Sequence, residues 1–144
     1  MEFNKISIKA MCVVERNSKE VLAGIGRDNV KGEDFGRIIG GKVEFGETAE
    51  SAVRREFQEE LGTDLENLSF IKIVENIFIY NGQQGHEVVF VYKGNLVNKT
   101  LYQKDIIKVE DGGIKFDAKW ILLDDVYSGK FKLYPELDYK TILN

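Results

Sequence analysis

The stretch GGKVEFGETAESAVRREFQEELGT, residues 40–63, combines a glycine pair, a short polar loop and a segment of helical periodicity. Apolar residues recur at spacings of three and four in TAESAVRREFQEEL, which predicts an amphipathic helix. Thr48 suits the N-cap of that helix, and Gly62 suits the residue after its last turn. Three carboxylates crowd the last turns, where a helix tolerates negative charge least. They belong to Glu56, Glu59 and Glu60.

These three carboxylates are badly placed for an ordinary helix. On a helical wheel Glu60 falls near the middle of the apolar arc, Glu56 lies inside it, and Glu59 lies on its edge. Their position at the C-terminal end also opposes the helix dipole, at a cost of about 0.3–1 kcal/mol each. A charge run usually marks a solvated face, but two of these carboxylates point towards the core. A divalent cation would relieve their repulsion, and oxygen ligands suit Mg²⁺ or Mn²⁺. The sequence therefore predicts a metal site that is built on this helix and faces a cavity.

The loop before the helix supplies further candidates for the same site. Gly40 and Gly41 let the backbone approach a ligand closely and present a carbonyl oxygen to a metal ion. Lys42 adds a cation beside them, and Glu47 is close enough in sequence to pair with Arg55. A glycine pair alone would indicate only a tight turn, so its weight comes from the carboxylates that follow.

Length and composition bound the class of protein. The 144 residues predict one domain, residues 1–144, with the composition of a folded chain. A net charge of −4 argues against a partner such as duplex nucleic acid, but not against small phosphorylated ligands. The single cysteine, Cys12, lies in an apolar run and is expected to be an inert core thiol. No run approaches the ~20 apolar residues that span a bilayer, so we expect no membrane partner and a cytoplasmic location.

The rest of the chain predicts more strands than helices. KISIKAMCVVER and EVLAGIGR are expected to form a hairpin through the turn NSK, and RIIGGKVEF an extended segment that the glycine pair interrupts. A second hairpin is expected to join LSFIKIVENIFIY to EVVFVYKGNLV through NGQQGH. Pro135 suits the first turn of a helix that closes the chain. This mixed order favours an α+β or layered α/β fold over alternating βαβ units.

The stretch that contains the carboxylates resembles the signature of the Nudix hydrolases, the MutT-like family. That signature is Gly, five residues, Glu, seven residues, then Arg-Glu-hydrophobic-any-Glu-Glu-any-Gly-hydrophobic. Both gaps have the right length here, and the matching residues are Gly41, Glu47, Arg55, Glu56, Phe57, Glu59, Glu60 and Gly62. Two positions depart from the pattern, because Thr63 replaces the usual bulky aliphatic and Ile39 stands where many members have proline.

The resemblance implies a fold, an activity and a set of roles. The fold would be a Nudix-type α/β/α sandwich with a central mixed, strand-rich sheet. The activity would be Mg²⁺- or Mn²⁺-dependent hydrolysis of a nucleoside diphosphate linked to another group, as in a nucleoside triphosphate, dinucleoside polyphosphate, ADP-ribose or nucleotide sugar. Glu56, Glu59, Glu60 and the carbonyl of Gly40 would hold the metal, while Arg55 and Glu47 would keep those carboxylates in place. The general base would be a glutamate of the motif or one from a loop elsewhere.

The resemblance leaves one alternative to hydrolysis open. A Nudix fold can also sense a nucleotide without hydrolysing it, but such modules usually lose motif carboxylates, and all are present here. The partner is expected to be a small nucleotide substrate, and a homodimer is common among small proteins.

The second half of the chain holds the candidates for substrate contacts. His86 and Glu87 are interpreted either as a loop base or substrate contact, or as an exposed hairpin tip; with Lys42 they form the predicted substrate-binding set. Glu110 and Asp111 are either extra carboxylates or part of a solvated turn, which is favoured. Aromatic residues that could stack on a base, but that more often belong to a core, are Phe35, Phe78, Tyr80 and Tyr92.

Overall fold

The computed structural model of the protein describes residues 4–143. The strands are β1 Ile6–Val13, β2 Glu15–Arg16, β3 Glu20–Asp28, β4 Glu33–Ile38, β5 Gly40–Lys42, β6 Leu65–Tyr80, β7 Gln83–Leu96, β8 Ile106–Asp111, β9 Ile114–Leu122 and β10 Lys132–Tyr134. The α-helices are α1 Ala49–Leu61, α2 Leu123–Tyr127 and α3 Tyr139–Leu143, and a 3₁₀ helix spans Lys99–Gln103. No helix among residues 4–143 is both long and apolar enough to cross a bilayer.

The strands form two mixed sheets. The first has the order β5-β1-β7-β6, and the second has the order β10-β4-β3-β9-β8 with β2 added beside β3. The pairs β1–β7 and β10–β4 are parallel, and the other pairs are antiparallel. The prediction of a strand-rich Nudix-type sandwich is confirmed, with the strands divided between two sheets.

Two apolar clusters, each with residues from both sheets, place the helices on opposite sides. Helix α1 buries Val53 and Phe57 in one cluster, against Cys12, Leu22 and Trp120. Burial raises the pKa of Cys12, as expected for an inert core thiol. The second cluster is completed by residues of α2 and α3, Leu123 and Tyr139. The long helix and the two short ones therefore flank the strands, which gives the α/β/α layering.

Helix α1 begins and ends as its sequence predicts. The Thr48 hydroxyl accepts a hydrogen bond from the backbone N–H of Ser51, at 3.1 Å, which caps the first turn. Gly62 adopts φ 63°, the left-handed conformation that a glycine reaches without strain, and its N–H donates to the carbonyl of Gln58. Both caps are confirmed.

The two predicted hairpins have different outcomes. The β6–β7 hairpin is confirmed, and its turn is the tight pair Asn81–Gly82, both with positive φ. The predicted pairing of KISIKAMCVVER with EVLAGIGR is wrong for most of its length, because only β2 pairs with β3. Strand β1 instead lies in the other sheet, parallel to β7. The completely buried residues Val13 and Val14 carry the chain between the sheets, and apolar patterning does not distinguish this crossing from one continuous strand.

The prediction that Pro135 lies in the first turn of the last helix is also wrong. Helix α3 begins at Tyr139, because the side chain of Asp138 accepts from the backbone N–H and hydroxyl of Thr141 and so caps it. Pro135 is buried, and its carbonyl accepts a 2.6 Å hydrogen bond from the Tyr139 hydroxyl. The glycine pair is expected to interrupt the extended segment RIIGGKVEF. The observed interruption is one residue earlier, because Ile39 separates β4 from β5 and the glycine pair begins β5.

Asp28 ties the two sheets together at one end. Its side chain is buried, and one carboxylate oxygen accepts from the backbone N–H groups of Val30 and Lys31. The other oxygen accepts from the N–H of Asn81, in the β6–β7 turn. These hydrogen bonds hold the turn after β3 against the turn of the other sheet and fix the spacing between the sheets there.

Candidate active site

Helix α1 presents its carboxylates to three different environments. Glu56 is buried, with 8% of its surface exposed, Glu60 is half-buried, and Glu59 is exposed. This order agrees with the helical wheel, on which Glu56 and Glu60 face inward. The helix packs against β1, β5 and β8, so its inward carboxylates meet the ends of those strands.

The glycine pair makes room for this helix. A Cβ atom on Gly41 would lie 2.3 Å from the carboxyl carbon of Glu56, far closer than any real contact. A Cβ atom on Gly40 would lie 2.1 Å from the backbone oxygen of Ala10 on the neighbouring strand. Gly40 therefore permits the strand pairing, and Gly41 leaves the space that the Glu56 carboxylate fills.

Arg55 joins the loop to the carboxylates. Its Nε and Nη2 donate to the two carboxylate oxygens of Glu47, at 2.8 and 3.0 Å. Nη2 also donates to the carbonyl of Lys42, and Nη1 donates to Glu56 at 2.9 Å and to Glu59 at 3.2 Å. A planar guanidinium suits this multiple contact, because its N–H groups point in fixed directions. The pairing of Glu47 with Arg55 across the start of the helix is therefore present in the structure.

Asp111 joins the cluster, although the sequence favoured a solvated turn for it. One carboxylate oxygen each from Glu56, Glu59 and Asp111 lie within 4.8 Å of one another. Strand β8 buries Ile107 and Val109 against α1, and a period of two places Asp111 on the same face. That alternation is the signal in the sequence that could have identified Asp111, whereas Glu110 points outward and is exposed.

The electrostatics of the cluster are unfavourable without a further cation. Burial raises the pKa of Glu60 to about 8, and repulsion from Glu56, Asp111 and Glu59 adds to that. Burial also raises the pKa of Glu56, although its hydrogen bond to Arg55 opposes the shift. Among residues 4–143 no hydrogen bond or ion pair reaches the Glu60 carboxylate. Arg55 contacts Glu56 and Glu59, and Lys9 attracts Glu60, so the four carboxylates outnumber the cations that offset them. This oxygen-only donor set fits a hard divalent cation.

A cleft of about 350 Å³ runs between the two sheets from this cluster. Gly40, Gly41 and Glu60 line one end of it. The remaining walls carry two cations, three aromatic rings and apolar or glycine backbone positions. They comprise Lys9, Met11, Gly24, Ile25, Gly26, Phe35, Arg37, Ile38, Ile39, Tyr80 and Phe116.

The predicted substrate contacts are dispersed. Lys42 is exposed and lies opposite Lys9 in the β1–β5 pairing, near the cluster. His86 and Glu87 occupy opposite faces of β7, since neighbouring residues of a strand alternate. Glu87 is buried and contacts Arg37 of the cleft, whereas His86 lies 3.3 Å from Glu75, outside the cleft. The structure therefore does not bring His86 to the other candidates.

The aromatic candidates divide in the same way. Phe35 and Tyr80 line the cleft, and Phe78 lies beside it in an adjoining pocket. Tyr92 belongs to the core around α1. Sequence reasoning did not identify Lys9, Arg37 or Phe116, because nothing local separates them from ordinary strand residues.

The fold, together with a match to the NUDIX domain family, identifies a hydrolase of phosphoric anhydride bonds. The chain belongs to the Nudix family, because the family model described as NUDIX domain matches residues 6–142.

Solved structures with the same fold include Nudix hydrolases. The chain is similar to the MutT NUDIX hydrolase from Burkholderia pseudomallei, at 22% identity and a TM-score of 0.55, over 97% of this chain and 96% of that one. A NUDIX hydrolase from Nitrosomonas europaea gives 18% identity and a TM-score of 0.58, over 96% and 86% of the two chains. The E. coli ORF135 protein gives 17% and 0.52, with the same coverage.

Replacing Gly41 with alanine tests how the glycine pair supports the cluster. The added Cβ would displace the Glu56 carboxylate, so we expect Gly41→Ala to lower the melting temperature and weaken Mg²⁺ binding at least tenfold. Calorimetric titration and thermal unfolding measure the two effects. Gly94→Ala is the control for metal binding, because the atoms nearest to its added Cβ belong to Leu68, Cys12 and Glu66, none of which is in the carboxylate cluster. Mg²⁺ binding that Gly41→Ala leaves at the level of the control would contradict the assigned role.

Proposed function

We propose that the protein is a divalent-cation-dependent pyrophosphohydrolase that cleaves the diphosphate bond of a nucleoside diphosphate linked to another group. The observation that carries the proposal is the convergence of Glu56, Glu59 and Asp111, with Glu60 beside them, at one end of the cleft. The cleft, with a volume of about 350 Å³, is proposed to hold the nucleoside, and the phosphates would extend towards the carboxylates. The proposed unit is the single domain of residues 1–144, in the cytoplasm.

The carboxylates of α1 and Asp111 are the proposed metal ligands, together with the carbonyl of Gly40. A bound Mg²⁺ or Mn²⁺ would neutralise phosphate oxygens and lower the pKa of the attacking water. Arg55 is proposed to act through other residues, because its contacts with Glu47, Glu56 and Glu59 set the positions of two ligands. Hydrolysis adds one water across the P–O–P bond and releases two phosphorylated products.

A nucleotide sensor that does not hydrolyse its ligand is the alternative. The complete carboxylate cluster favours the enzyme, since binding alone requires no such concentration of like charge. A panel of nucleoside triphosphates, dinucleoside polyphosphates, ADP-ribose and nucleotide sugars separates the two functions. Binding of a member of the panel, with no member hydrolysed to phosphorylated products in the presence of Mg²⁺ or of Mn²⁺, would support the sensor.

The proposed ligands can be tested against a neighbouring carboxylate. Glu59→Gln and Asp111→Asn each remove one ligand charge, so we expect both to lower kcat/KM by roughly 100-fold and to weaken Mg²⁺ binding at least tenfold. Glu110→Gln is the matched control, because Glu110 is adjacent to Asp111 but exposed on the other face of β8. Equal activity and equal Mg²⁺ affinity for Asp111→Asn and Glu110→Gln would remove Asp111 from the site.

The raised pKa of Glu60 predicts how stability depends on pH. Between the ordinary glutamate pKa of 4.5 and about 8 the folded protein binds more protons than the unfolded chain, so stability falls as pH rises. Mg²⁺ binds the ionised carboxylates, so it should raise the melting temperature of EDTA-treated protein more at pH 8 than at pH 6. Glu60→Gln should flatten the pH dependence of stability in EDTA. Identical pH dependence in Glu60→Gln and the unsubstituted protein would show that Glu60 does not titrate in this range.

We propose that the protein forms a homodimer through the exposed apolar face of the first sheet. Cross-strand pairing places Ile6, Ile8, Phe70, Ile73, Ile77 and Ile79 on one face, each of them well exposed. A dimer interface typically buries about 800 Å² per partner, and exposed apolar side chains suit such an interface. Strand β6 is also the sheet edge, so a second copy can pair with it antiparallel about a two-fold axis.

Light scattering after gel filtration tests the dimer. We expect a dimer for the unsubstituted protein and a monomer for Ile77→Lys, because the lysine charge would lose its hydration on burial in the interface. Ile114→Lys is the control, since Ile114 is also well exposed but lies on the other sheet. A monomeric unsubstituted protein, or dimers of both variants, would contradict this interface.

A further inference from the structure

The buried carboxylate of Glu87 holds two cations at the cleft. Glu87 is 3% exposed, its Oε1 accepts a 2.7 Å hydrogen bond from Nη2 of Arg37, and its Oε2 lies 3.8 Å from Nζ of Lys9. A buried charge pair adds little to stability over a well-packed apolar pair, because desolvation offsets much of the attraction. The arrangement has a clear consequence for the cleft, since both cations line it.

Arg37 has hydrogen-bond donors to offer a ligand. A guanidinium carries five N–H groups, and among the described residues Glu87 is the hydrogen-bond partner of Arg37. The guanidinium also lies 5.8 Å from the ring centre of Phe78, which limits its sideways movement. Arg37 is therefore held in place, with N–H groups left for the cleft.

Aromatic rings line the cleft beside Arg37. A Cβ on Gly26 would lie 2.7 Å from the ring of Phe35, and a Cβ on Gly24 would lie 2.9 Å from the ring of Phe116. Because these positions are glycines, both rings can lie against β3. Tyr80 packs edge-on against Phe35, with ring centres 5.6 Å apart. A planar nucleobase can stack on such a surface.

The polar groups at this end of the cleft are mainly donors. The cleft side chains with hydrogen-bonding groups are Lys9, Arg37, Glu60 and Tyr80, and Glu60 lies at the carboxylate end. Lysine and arginine donate only, and both oxygens of Glu87 already face cations. A group that docks against Arg37 must therefore accept hydrogen bonds along its edge.

This inference rests on the proposed function and names a substrate class for it. We propose that Arg37, positioned by Glu87, selects nucleobases that present keto oxygens, as guanine and uracil do, over adenine. Guanine offers O6 and N7 as paired acceptors to an arginine, whereas adenine presents an amino donor beside its N7. The amino group of adenine would face the N–H groups of Arg37 without an acceptor.

Steady-state kinetics with GTP, UTP and ATP at saturating Mg²⁺ test the proposal. A bidentate contact discriminates by about 1–3 kcal/mol, so we expect kcat/KM to be roughly tenfold or more higher for GTP than for ATP, and higher for UTP than for ATP through the single contact to O4. Glutamine pairs with adenine through both N6 and N7, so Arg37→Gln should shift the preference towards ATP. Glu87→Gln should raise KM for GTP and UTP and leave kcat nearly unchanged, because Glu87 acts by positioning Arg37.

Controls separate this role from a structural one. Arg27→Gln removes an exposed arginine of the same sheet that pairs with Asp34, and it should leave the base preference unchanged. Melting temperatures identify variants that are destabilised because they lose the Arg37–Glu87 ion pair between the two sheets. If Arg37→Gln fails to fold, Arg37→Lys can be used instead. It keeps the positive charge but not the paired N–H groups of the guanidinium, so it should reduce the preference for GTP over ATP.

The outcomes distinguish this inference from the proposed function. Calorimetric binding of GMP and AMP measures base preference without any turnover, so it remains informative if no nucleotide is hydrolysed. Equal affinity for GMP and AMP would overturn the inference even if the protein proves to be a pyrophosphohydrolase. An equal loss for GTP, UTP and ATP in Arg37→Gln would also overturn it, because Arg37 would then bind a phosphate common to all three.

Discussion

The contact between the Glu56 carboxylate and the bare backbone of Gly41 is the constraint around which the site is built. Strand β5 must run directly beneath the helix, and it does so because Gly40 permits close pairing with β1 and Gly41 leaves space for the carboxylate. Arg55 then fixes the same carboxylate from the other side through Nη1. The loop before α1, strand β5 and helix α1 therefore keep one relative position. That position also determines where the other proposed ligands of α1 lie.

The fold holds together a cluster of carboxylates whose mutual repulsion is unfavourable. Two carboxylates about 4 Å apart repel by around 4 kcal/mol at an effective dielectric of 20. The helix compensates through its caps at Thr48 and Gly62 and through the burial of Val53 and Phe57. Arg55 reduces the repulsion but does not reach Glu60, according to the contacts within residues 4–143. The fold thus holds the carboxylates together against their repulsion, which is the condition for rapid and tight binding of a cation.

The helix and its carboxylates could be predicted from the sequence because their causes are local. A cap, a period of 3.6 residues and a left-handed glycine act within one turn of the chain, and so does the Asn81–Gly82 hairpin turn. The path of β1 could not be predicted, because it depends on whether Val13 and Val14 continue a strand or cross between sheets. Only the competing partners, β7 and β3, decide that. Asp111 has a local signal in the alternation of β8, but its meaning requires knowing that this face meets α1.

The cleft shows why a metal site can be identified from sequence more readily than a substrate. The carboxylates come from one helix and one strand end, whereas the cleft walls come from six strands in two sheets. Its width depends on contacts between the sheets, namely Asp28 with Asn81 and Glu87 with Arg37. Neither contact involves a residue of the carboxylate motif. A substitution at Arg37 or Glu87 can therefore change which nucleoside binds while the ligand cluster keeps its geometry, since the two parts of the site are held by separate sets of interactions.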